Sequence, residues 1–227
     1  MPVVYLVDER ITQPRSVLDS IPEVDLGFLI SSYTSIPEIV SMVIKGLATG
    51  ISETAPPRRG GRRETPAAAM ITAFRIYAHG DAETIHLGRG IDERNAVQLK
   101  SLSAQITGGA GAACMLLGCN LAISTHRVER FLGGAATAQR FGSPCPEWSF
   151  GETRVRAWGG HRLLHALART LGIPVTAALD TQTLSYDGHH LGATITVDSF
   201  GQTTFTGVDT PAVFEANRHE MTYSSDG

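Results

Sequence analysis

The hydrophobic pattern of this chain consists of short, predominantly apolar runs, separated by segments in which apolar residues have helical spacing. Short apolar runs without strict alternation are typical of strands that are buried on both faces of a sheet. The runs that predict such strands are Val3–Val7, Leu26–Ile30, Met70–Ala78, Ala112–Leu117 and Ile173–Leu179. Further along, Ala193–Val197 and Thr203–Gly207 alternate around a turn, which predicts a hairpin.

The clearest helical signal follows the second strand run. Apolar residues recur at helical spacing from Ile39 to Leu47. Ser35 suits the N-cap position, Glu38 lies in the first turn, and Gly50 ends the pattern. Similar patterns predict three further helices, over Pro14–Ile21, Asp92–Ile106 and Gly160–Leu171.

Strand and helix alternate four times, which predicts an α/β fold. We expect a three-layer α-β-α arrangement, with a mostly parallel sheet, helices on both faces and a C-terminal hairpin. Residues 1–227 are expected to form one domain, with flexible loops at about 52–66 and about 125–157, where apolar periodicity is absent. In sheets of this type, ligands and catalytic groups lie beyond the carboxyl ends of the strands.

Composition narrows the classes of function. The formal net charge is −3, so the chain lacks the excess of basic residues typical of proteins that bind nucleic acids or anionic membranes. The N-terminus has no basic segment before an apolar one, and no run approaches the roughly 20 apolar residues of a membrane span. We therefore expect a cytoplasmic protein with no nucleic-acid or membrane partner. The three cysteines, Cys114, Cys119 and Cys145, are odd in number and show no CxxC or Cys/His zinc spacing, so the sequence indicates neither a disulfide framework nor a structural metal, and we expect no cofactor.

Two reactive residues follow two of the predicted strands. His79 follows the run Met70–Ala78, and Cys119 follows the run Ala112–Leu117. If these strands are neighbours, about 4.8 Å apart, both side chains can reach one substrate carbonyl at the sheet edge. An imidazole favours the thiolate form of a nearby cysteine and can return a proton to a leaving amine. The sequence therefore predicts Cys119 as a nucleophile and His79 as its acid and base.

A glycine beside the histidine adds to this hypothesis. The backbone N–H groups of Gly80 and Cys119 are candidates for stabilising an oxyanion, because glycine has no Cβ to block the approach. The alternative general base is His86. The competing interpretation is structural, since a histidine after a strand is commonly a surface residue and a cysteine there is commonly inert core. We expect Cys114 and Cys145 to be inert in this sense.

These stretches resemble a known fold. The segments IYAHG and MLLGC, which contain His79 and Cys119, are similar to the His-Gly and Gly-Cys segments of caspase-like (clan CD) cysteine peptidases. The longer segments AHGDAETIHLGRGI, MLLGCNLA and LLHALARTLGIPVTAALDTQT resemble a bacterial family of unassigned function that shares this core. The resemblance covers Val3 to Thr183. It implies a cysteine endopeptidase acting on a protein or peptide, with His79 and Cys119 as the dyad and Gly80 in the oxyanion hole.

The same resemblance suggests a specificity and a maturation step. The segment ALDTQT is similar to the D-x-Q-[ST] of metacaspases, which implies that Asp180, with Gln182 nearby, binds a basic P1 side chain. Metacaspases carry a second acid just before the catalytic cysteine, where this chain has Leu117 and Gly118. Relatives are often cut between core strands, which implies self-processing in the arginine-containing loops, although such arginines are commonly just solvated. These arginines are Arg58, Arg59, Arg62, Arg63, Arg130 and Arg140.

Two other classes of function compete with the peptidase. One is a catalytically silent caspase-like module that binds another protein. The other is a doubly wound nucleotide binder, which the sequence disfavours because neither GxGxxG nor GxxxxGK[ST] follows the first strand. The segment there, VDERITQ, contains no glycine.

Overall fold

Thirteen strands and four helices make up the described part of the chain. The computed structural model describes residues 2–50, 70–80, 84–108, 111–117, 126–127, 147–150, 153–157, 159–178 and 194–206. The strands are β1 (Val3–Asp8), β2 (Leu26–Ile30), β3 (Ala73–Tyr77), β4 (His79–Gly80), β5 (Thr84–His86), β6 (Ile91–Asp92), β7 (Ala113–Leu117), β8 (His126–Arg127), β9 (Glu147–Phe150), β10 (Thr153–Ala157), β11 (Val175–Ala178), β12 (Thr194–Val197) and β13 (Thr203–Thr206). The helices are α1 (Pro14–Asp19), α2 (Ile36–Thr49), a 3₁₀ helix (Ala96–Gln105) and α3 (Gly159–Leu171). None of the helices in these ranges is long and apolar enough to cross a bilayer.

Seven strands form the central sheet, in the order β2-β1-β3-β7-β11-β12-β13. The first five strands in this order run parallel to their neighbours. The last two form an antiparallel hairpin, and β12 is also antiparallel to β11. The predicted α/β class, the mostly parallel sheet and the C-terminal hairpin are therefore confirmed.

Helices contact both faces of this sheet. On one face, Leu6 and Phe74 belong to a large buried cluster that includes residues of α2, the 3₁₀ helix and α3. On the other face, Val7 and Tyr77 pack in a second cluster with Leu18 of α1. Successive side chains of a strand point to opposite faces, so β1 contributes to both clusters. Burial on two faces explains why its sequence is an apolar run rather than an alternating one.

Local sequence signals set the limits of α2. The carboxylate of Glu38 accepts hydrogen bonds from the backbone N–H of Ser35 (2.7 Å) and from its hydroxyl (2.6 Å). These bonds lower the pKa of Glu38. Gly50 takes a left-handed conformation (φ +64°), and its N–H donates to the carbonyl of Gly46 at 2.8 Å. Both predicted ends of the helix are thus confirmed.

The segment predicted as a helix over Asp92–Ile106 is instead a short strand, a turn and a 3₁₀ helix. The carboxylate of Asp92 accepts hydrogen bonds from the N–H groups of Arg94 and Asn95, both at 2.8 Å. These bonds hold the backbone in a turn, so the helix starts only after Asn95. The buried residues of that helix are Ala96, Leu99 and Leu102. Their spacing of three is the repeat of a 3₁₀ helix, so the prediction of a regular α-helix was wrong.

The six remaining strands form two three-stranded antiparallel sheets. The first, in the order β4-β5-β6, begins with His79, so this histidine opens a strand of its own rather than ending β3. The second, in the order β8-β10-β9, lies within 125–157, where the sequence analysis expected only a loop. Strands this short form because a partner pairs with them, and their sequences alone carry little periodicity. The loop expected at 52–66 lies outside the described residues.

A buried histidine joins α3 to the C-terminal hairpin. His161 is 3% exposed, and its Nε2 lies 3.0 Å from Oγ1 of Thr203. The ring of His165, one turn further along α3, lies 6.4 Å away between centroids. Burial, with a smaller contribution from His165, lowers the pKa of His161 to about 4. The imidazole is therefore neutral in the folded protein at physiological pH.

Acidification is expected to destabilise the protein through His161. The unfolded chain binds a proton at this imidazole near the ordinary pKa of about 6.5, whereas the folded chain does so only near 4. Between these two pKa values the unfolded state therefore binds more protons than the folded state. The free energy of unfolding falls by up to about 3 kcal/mol as the pH drops through this range. Urea unfolding at several pH values should show that the free energy of unfolding depends less steeply on pH in His161→Gln than in the wild type. Equal slopes for the two proteins would contradict this prediction.

Candidate functional site

The carboxyl edge of the central sheet is where the predicted dyad should lie. β3 and β7 are parallel neighbours, with Tyr77 opposite Leu117, and the N–H of Ala78 donates to the Leu117 carbonyl at 3.3 Å. The strand adjacency that the dyad requires is therefore confirmed. His79 comes two residues after the end of β3. Cys119 comes two residues after the end of β7 and lies outside the described residues.

His79 is an exposed residue held in the small sheet at this edge. In the antiparallel pair of β4 and β5, His79 lies opposite His86, and Gly80 lies opposite Ile85. Residues directly opposite each other on one face have Cβ atoms about 4.5–5.5 Å apart. His86, the alternative base of the sequence analysis, is thus a direct neighbour of His79, which periodicity did not predict.

One ring nitrogen of His79 is engaged by the backbone. Its Nε2 lies 3.2 Å from the carbonyl oxygen of Arg10, in the loop after β1. A carbonyl oxygen can only accept a hydrogen bond, so Nε2 must carry the proton. In the neutral ring, Nδ1 then carries the lone pair. This arrangement gives His79 one fixed donor and one nitrogen able to accept a proton.

A buried carboxylate organises the loop after β1. Asp8 is fully buried at the end of that strand. Its Oδ1 accepts hydrogen bonds from the backbone N–H (2.9 Å) and Nε (2.7 Å) of Arg10. Its Oδ2 accepts from Nη2 of Arg10 (2.8 Å) and from the N–H of Gly88 (3.0 Å). Donating these hydrogen bonds to Asp8 raises the pKa of Arg10, and the two side chains form a bidentate ion pair.

The guanidinium of Arg10 also reaches the segment after β5. Its Nη2 donates to the carbonyl oxygens of His86 (2.7 Å) and Gly88 (2.9 Å). The backbone there also contacts the loop after β2, since Arg89 donates from its N–H to Thr34 (3.0 Å) and from Nε to the carbonyl of Tyr33 (2.8 Å). Three loops at this edge are therefore joined through hydrogen bonds to backbone groups.

Gly88 is placed where only a glycine fits. Its φ is +59°, a conformation that side chains with a Cβ rarely adopt. A Cβ on Gly88 would also lie far inside van der Waals contact with the carbonyl oxygen of Thr34. In this position the N–H of Gly88 donates to the carboxylate of Asp8.

Among the other residues considered for the site, the structure describes only Gly80 and Cys114. Gly80 is half-buried in β4, and its assignment to the oxyanion hole stays a prediction. Cys114 is fully buried in β7, and burial raises the pKa of its thiol to about 12, so its expected place in the core is confirmed. Residues that lie outside the described ranges are Gly118, Cys119, Cys145, Asp180, Gln182 and the loop arginines Arg58, Arg59, Arg62, Arg63, Arg130 and Arg140.

The ion pair of Asp8 and Arg10 was not predicted from the sequence. A signal for it exists, because an acidic residue closes the apolar run of β1 and an arginine follows two residues later. An acid in that position is commonly only a strand terminator, so the pattern does not indicate a buried pair. Its partners beyond Arg10 are about 80 residues away in the chain, where no local pattern points to them.

Within the described ranges, no group of three or more His, Cys, Asp or Glu residues is arranged to hold a metal ion. His79, an exposed imidazole beside the ends of two adjacent strands, is a group able to accept and donate a proton. Comparison with known proteins finds no matching family model, no matching curated protein and no matching solved structure.

Proposed function

We propose that this protein is a caspase-like cysteine endopeptidase that uses Cys119 and His79. The observation that carries the proposal is the parallel pairing of β3 and β7, with Tyr77 opposite Leu117. His79 and Cys119 each follow these paired residues by two positions in the sequence. The equal spacing after adjacent strands supports a common cleft at the carboxyl edge, where α/β sheets hold their ligands.

The proposed reaction has two stages. His79 takes the proton of the Cys119 thiol on Nδ1, and the thiolate sulfur forms a bond to the carbonyl carbon of the scissile peptide. The carbonyl electron pair moves to oxygen, then returns as the C–N bond breaks and the amine takes the proton from His79. A water molecule next gives a proton to His79 and attacks the thioester carbon. The C–S bond breaks, and the sulfur regains its proton from His79.

Other predicted residues have supporting roles in this proposal. The N–H groups of Gly80 and Cys119 would stabilise the oxyanion, because they are donors beside the reacting carbonyl. Asp180, with Gln182 nearby, would bind an arginine or lysine side chain at P1 through a charge-assisted hydrogen bond. Peptidyl-arginine and peptidyl-lysine reporters are therefore the substrates of choice for a test.

Replacing Cys119 with alanine is expected to lower kcat/KM for these reporters by at least about a thousandfold, because the nucleophile is lost. Cys145→Ala is the matched control, since it removes a thiol with no assigned role, and it should keep the wild-type rate. A peptide electrophile with arginine at P1 should label the wild type and the control but not Cys119→Ala. Cleavage that persists in Cys119→Ala would reject the assignment, and identical full-length bands for wild type and Cys119→Ala would reject self-processing.

Absence of hydrolysis by the wild type across a peptide library would favour the catalytically silent module. That protein would bind its partner equally well with and without the Cys119 thiol.

A nucleotide binder is the other candidate, and the order of the parallel strands is the observation that favours it. The order β2-β1-β3-β7-β11 corresponds to the 2-1-3-4-5 order of flavodoxin-like sheets, which bind ligands where β1 and β3 diverge. At that point this chain has the ion pair of Asp8 and Arg10 and no glycine-rich loop. A thermal shift measured with a nucleotide panel tests this candidate, and no shift with any nucleotide would reject it.

A further inference from the structure

Arg10, the cationic member of the ion pair with Asp8, contacts both His79 and the residue opposite His79 in the small sheet. The carbonyl oxygen of Arg10 lies 3.2 Å from Nε2 of His79. The guanidinium of the same residue donates to the carbonyl of His86 at 2.7 Å, and His86 is the residue opposite His79 in the β4–β5 pair. One residue therefore touches both the ring of His79 and the strand that pairs with it.

Asp8 holds both the backbone and the side chain of Arg10. Its carboxylate binds the backbone N–H of Arg10 as well as the guanidinium, so the backbone and the side chain of Arg10 are held by the same group. The carboxylate itself is fully buried at the end of a central strand. Charge-assisted bonds in a buried site are shorter and stronger than neutral ones at the surface. Because Asp8 is the last residue of β1, these bonds fix the loop that contains Arg10, and contacts His79, relative to that strand.

We propose that Arg10, anchored by Asp8, is a positioning residue that fixes the orientation of the His79 imidazole and leaves its Nδ1 as the proton acceptor. This role deepens the proposed function and rests on it, because the orientation matters for a reaction at His79. Arg10 acts through the histidine and not on the substrate. Its five guanidinium N–H donors suit this task, since a lysine cannot offer the same forked geometry to Asp8 and two backbone carbonyls.

The test measures the mobility of the His79 ring directly. Carbon-13 relaxation of the Cδ2–H group of His79 gives an order parameter, and the His79→Gln spectrum identifies the signal. The wild type should give about 0.8, close to rigid backbone, and folded Arg10→Ala should give less than about 0.6. Ring nitrogen shifts at about pH 8.5, above the ordinary imidazole pKa, should show the proton on Nε2 in the wild type.

Two further variants make the result interpretable. Arg162→Ala is the matched control, because it removes an arginine from a surface ion pair with Glu93 and should leave the His79 ring as ordered as in the wild type. Arg10→Lys keeps a cation beside Asp8, so it replaces Arg10→Ala in the test if Arg10→Ala fails to fold. In this variant the order parameter of the His79 ring should also fall below about 0.6. A ring that stays ordered in either folded Arg10 variant overturns the proposal. A wild-type ring that is already mobile overturns it as well.

Kinetics separates this proposal from the proposed function. In an active enzyme, Arg10→Lys should lower kcat by about 10–100-fold, the usual effect of losing an outer positioning contact, with KM changed less than about twofold. A fall in substrate affinity with an unchanged kcat would overturn the positioning role. If the wild type hydrolyses no peptide, the proposed function fails, and the NMR result alone decides whether Arg10 positions His79.

Discussion

Replacing Asp8 with alanine is expected to lower the free energy of unfolding by about 3–5 kcal/mol. The substitution removes a fully buried carboxylate that accepts hydrogen bonds from Arg10 and from the N–H of Gly88. A buried donor left without a partner costs about 1–3 kcal/mol, and breaking an ion pair with a buried member adds to this. Urea unfolding at neutral pH measures the change. Asp8→Asn keeps the shape of the side chain but places an NH₂ group against these donors. The free energy of unfolding should therefore fall less than in Asp8→Ala but remain below that of the wild type.

The control for this experiment is the surface pair of Glu93 and Arg162. Their side chains are 44% and 45% exposed, although they are also only 2.9 Å apart. Water solvates both groups when the pair is broken, so Glu93→Ala should cost less than about 1 kcal/mol. Equal losses for Asp8→Ala and Glu93→Ala would show that the burial of Asp8 has no energetic consequence, and would contradict the prediction.

Gly88→Ala is expected to lower the free energy of unfolding by about 3–5 kcal/mol, for two separate reasons. The left-handed conformation alone costs a residue with a Cβ about 1–2 kcal/mol. The new methyl group would also collide with the carbonyl oxygen of Thr34, a backbone atom that can move only if its loop moves. Overpacking of this kind typically costs a further 1–3 kcal/mol, roughly. Thermal and urea unfolding should both detect the loss.

Gly50 is the matched control, because it has a similar φ of +64° and, among the residues that the structure describes, no atom lies within 4 Å of an added Cβ. Gly50→Ala should therefore show only the conformational cost of about 1–2 kcal/mol. The difference between the two variants isolates the contact with Thr34. If the two alanine variants unfold at the same urea concentration, the close approach of Gly88 and Thr34 does not contribute to stability.

The limits of several elements could be predicted because their causes are local. Ser35 and Glu38 set the start of the helix α2 and Gly50 sets its end, and each of these signals acts within one turn of the helix. The strands of the central sheet are visible as apolar runs, because burial on two faces selects apolar residues at every position. The parallel arrangement follows from the alternation of strands and helices.

Helix limits could not be predicted where side chains compete for the hydrogen bonds of the backbone. The apolar residues between Asp92 and Ile106 suggested an α-helix, but the side chains of Asp92 and Asn95 bind nearby backbone groups and delay the helix. The strands within 125–157 were missed because short strands depend on their partners more than on their own composition.

The sequence by itself determined the α/β class, the ends of α2 and the choice of His79 and Cys119 as reactive residues after two strands. These features depend on residues within a few positions of one another. Only the tertiary structure decided that β3 and β7 are neighbours, that His86 lies opposite His79, and that Asp8 and Arg10 hold this edge together. The hydrogen bonds of Arg10 with His79 and of Asp8 with Gly88 join residues 69 and 80 positions apart, and such contacts form only when packing of the apolar core brings the strand ends to one edge.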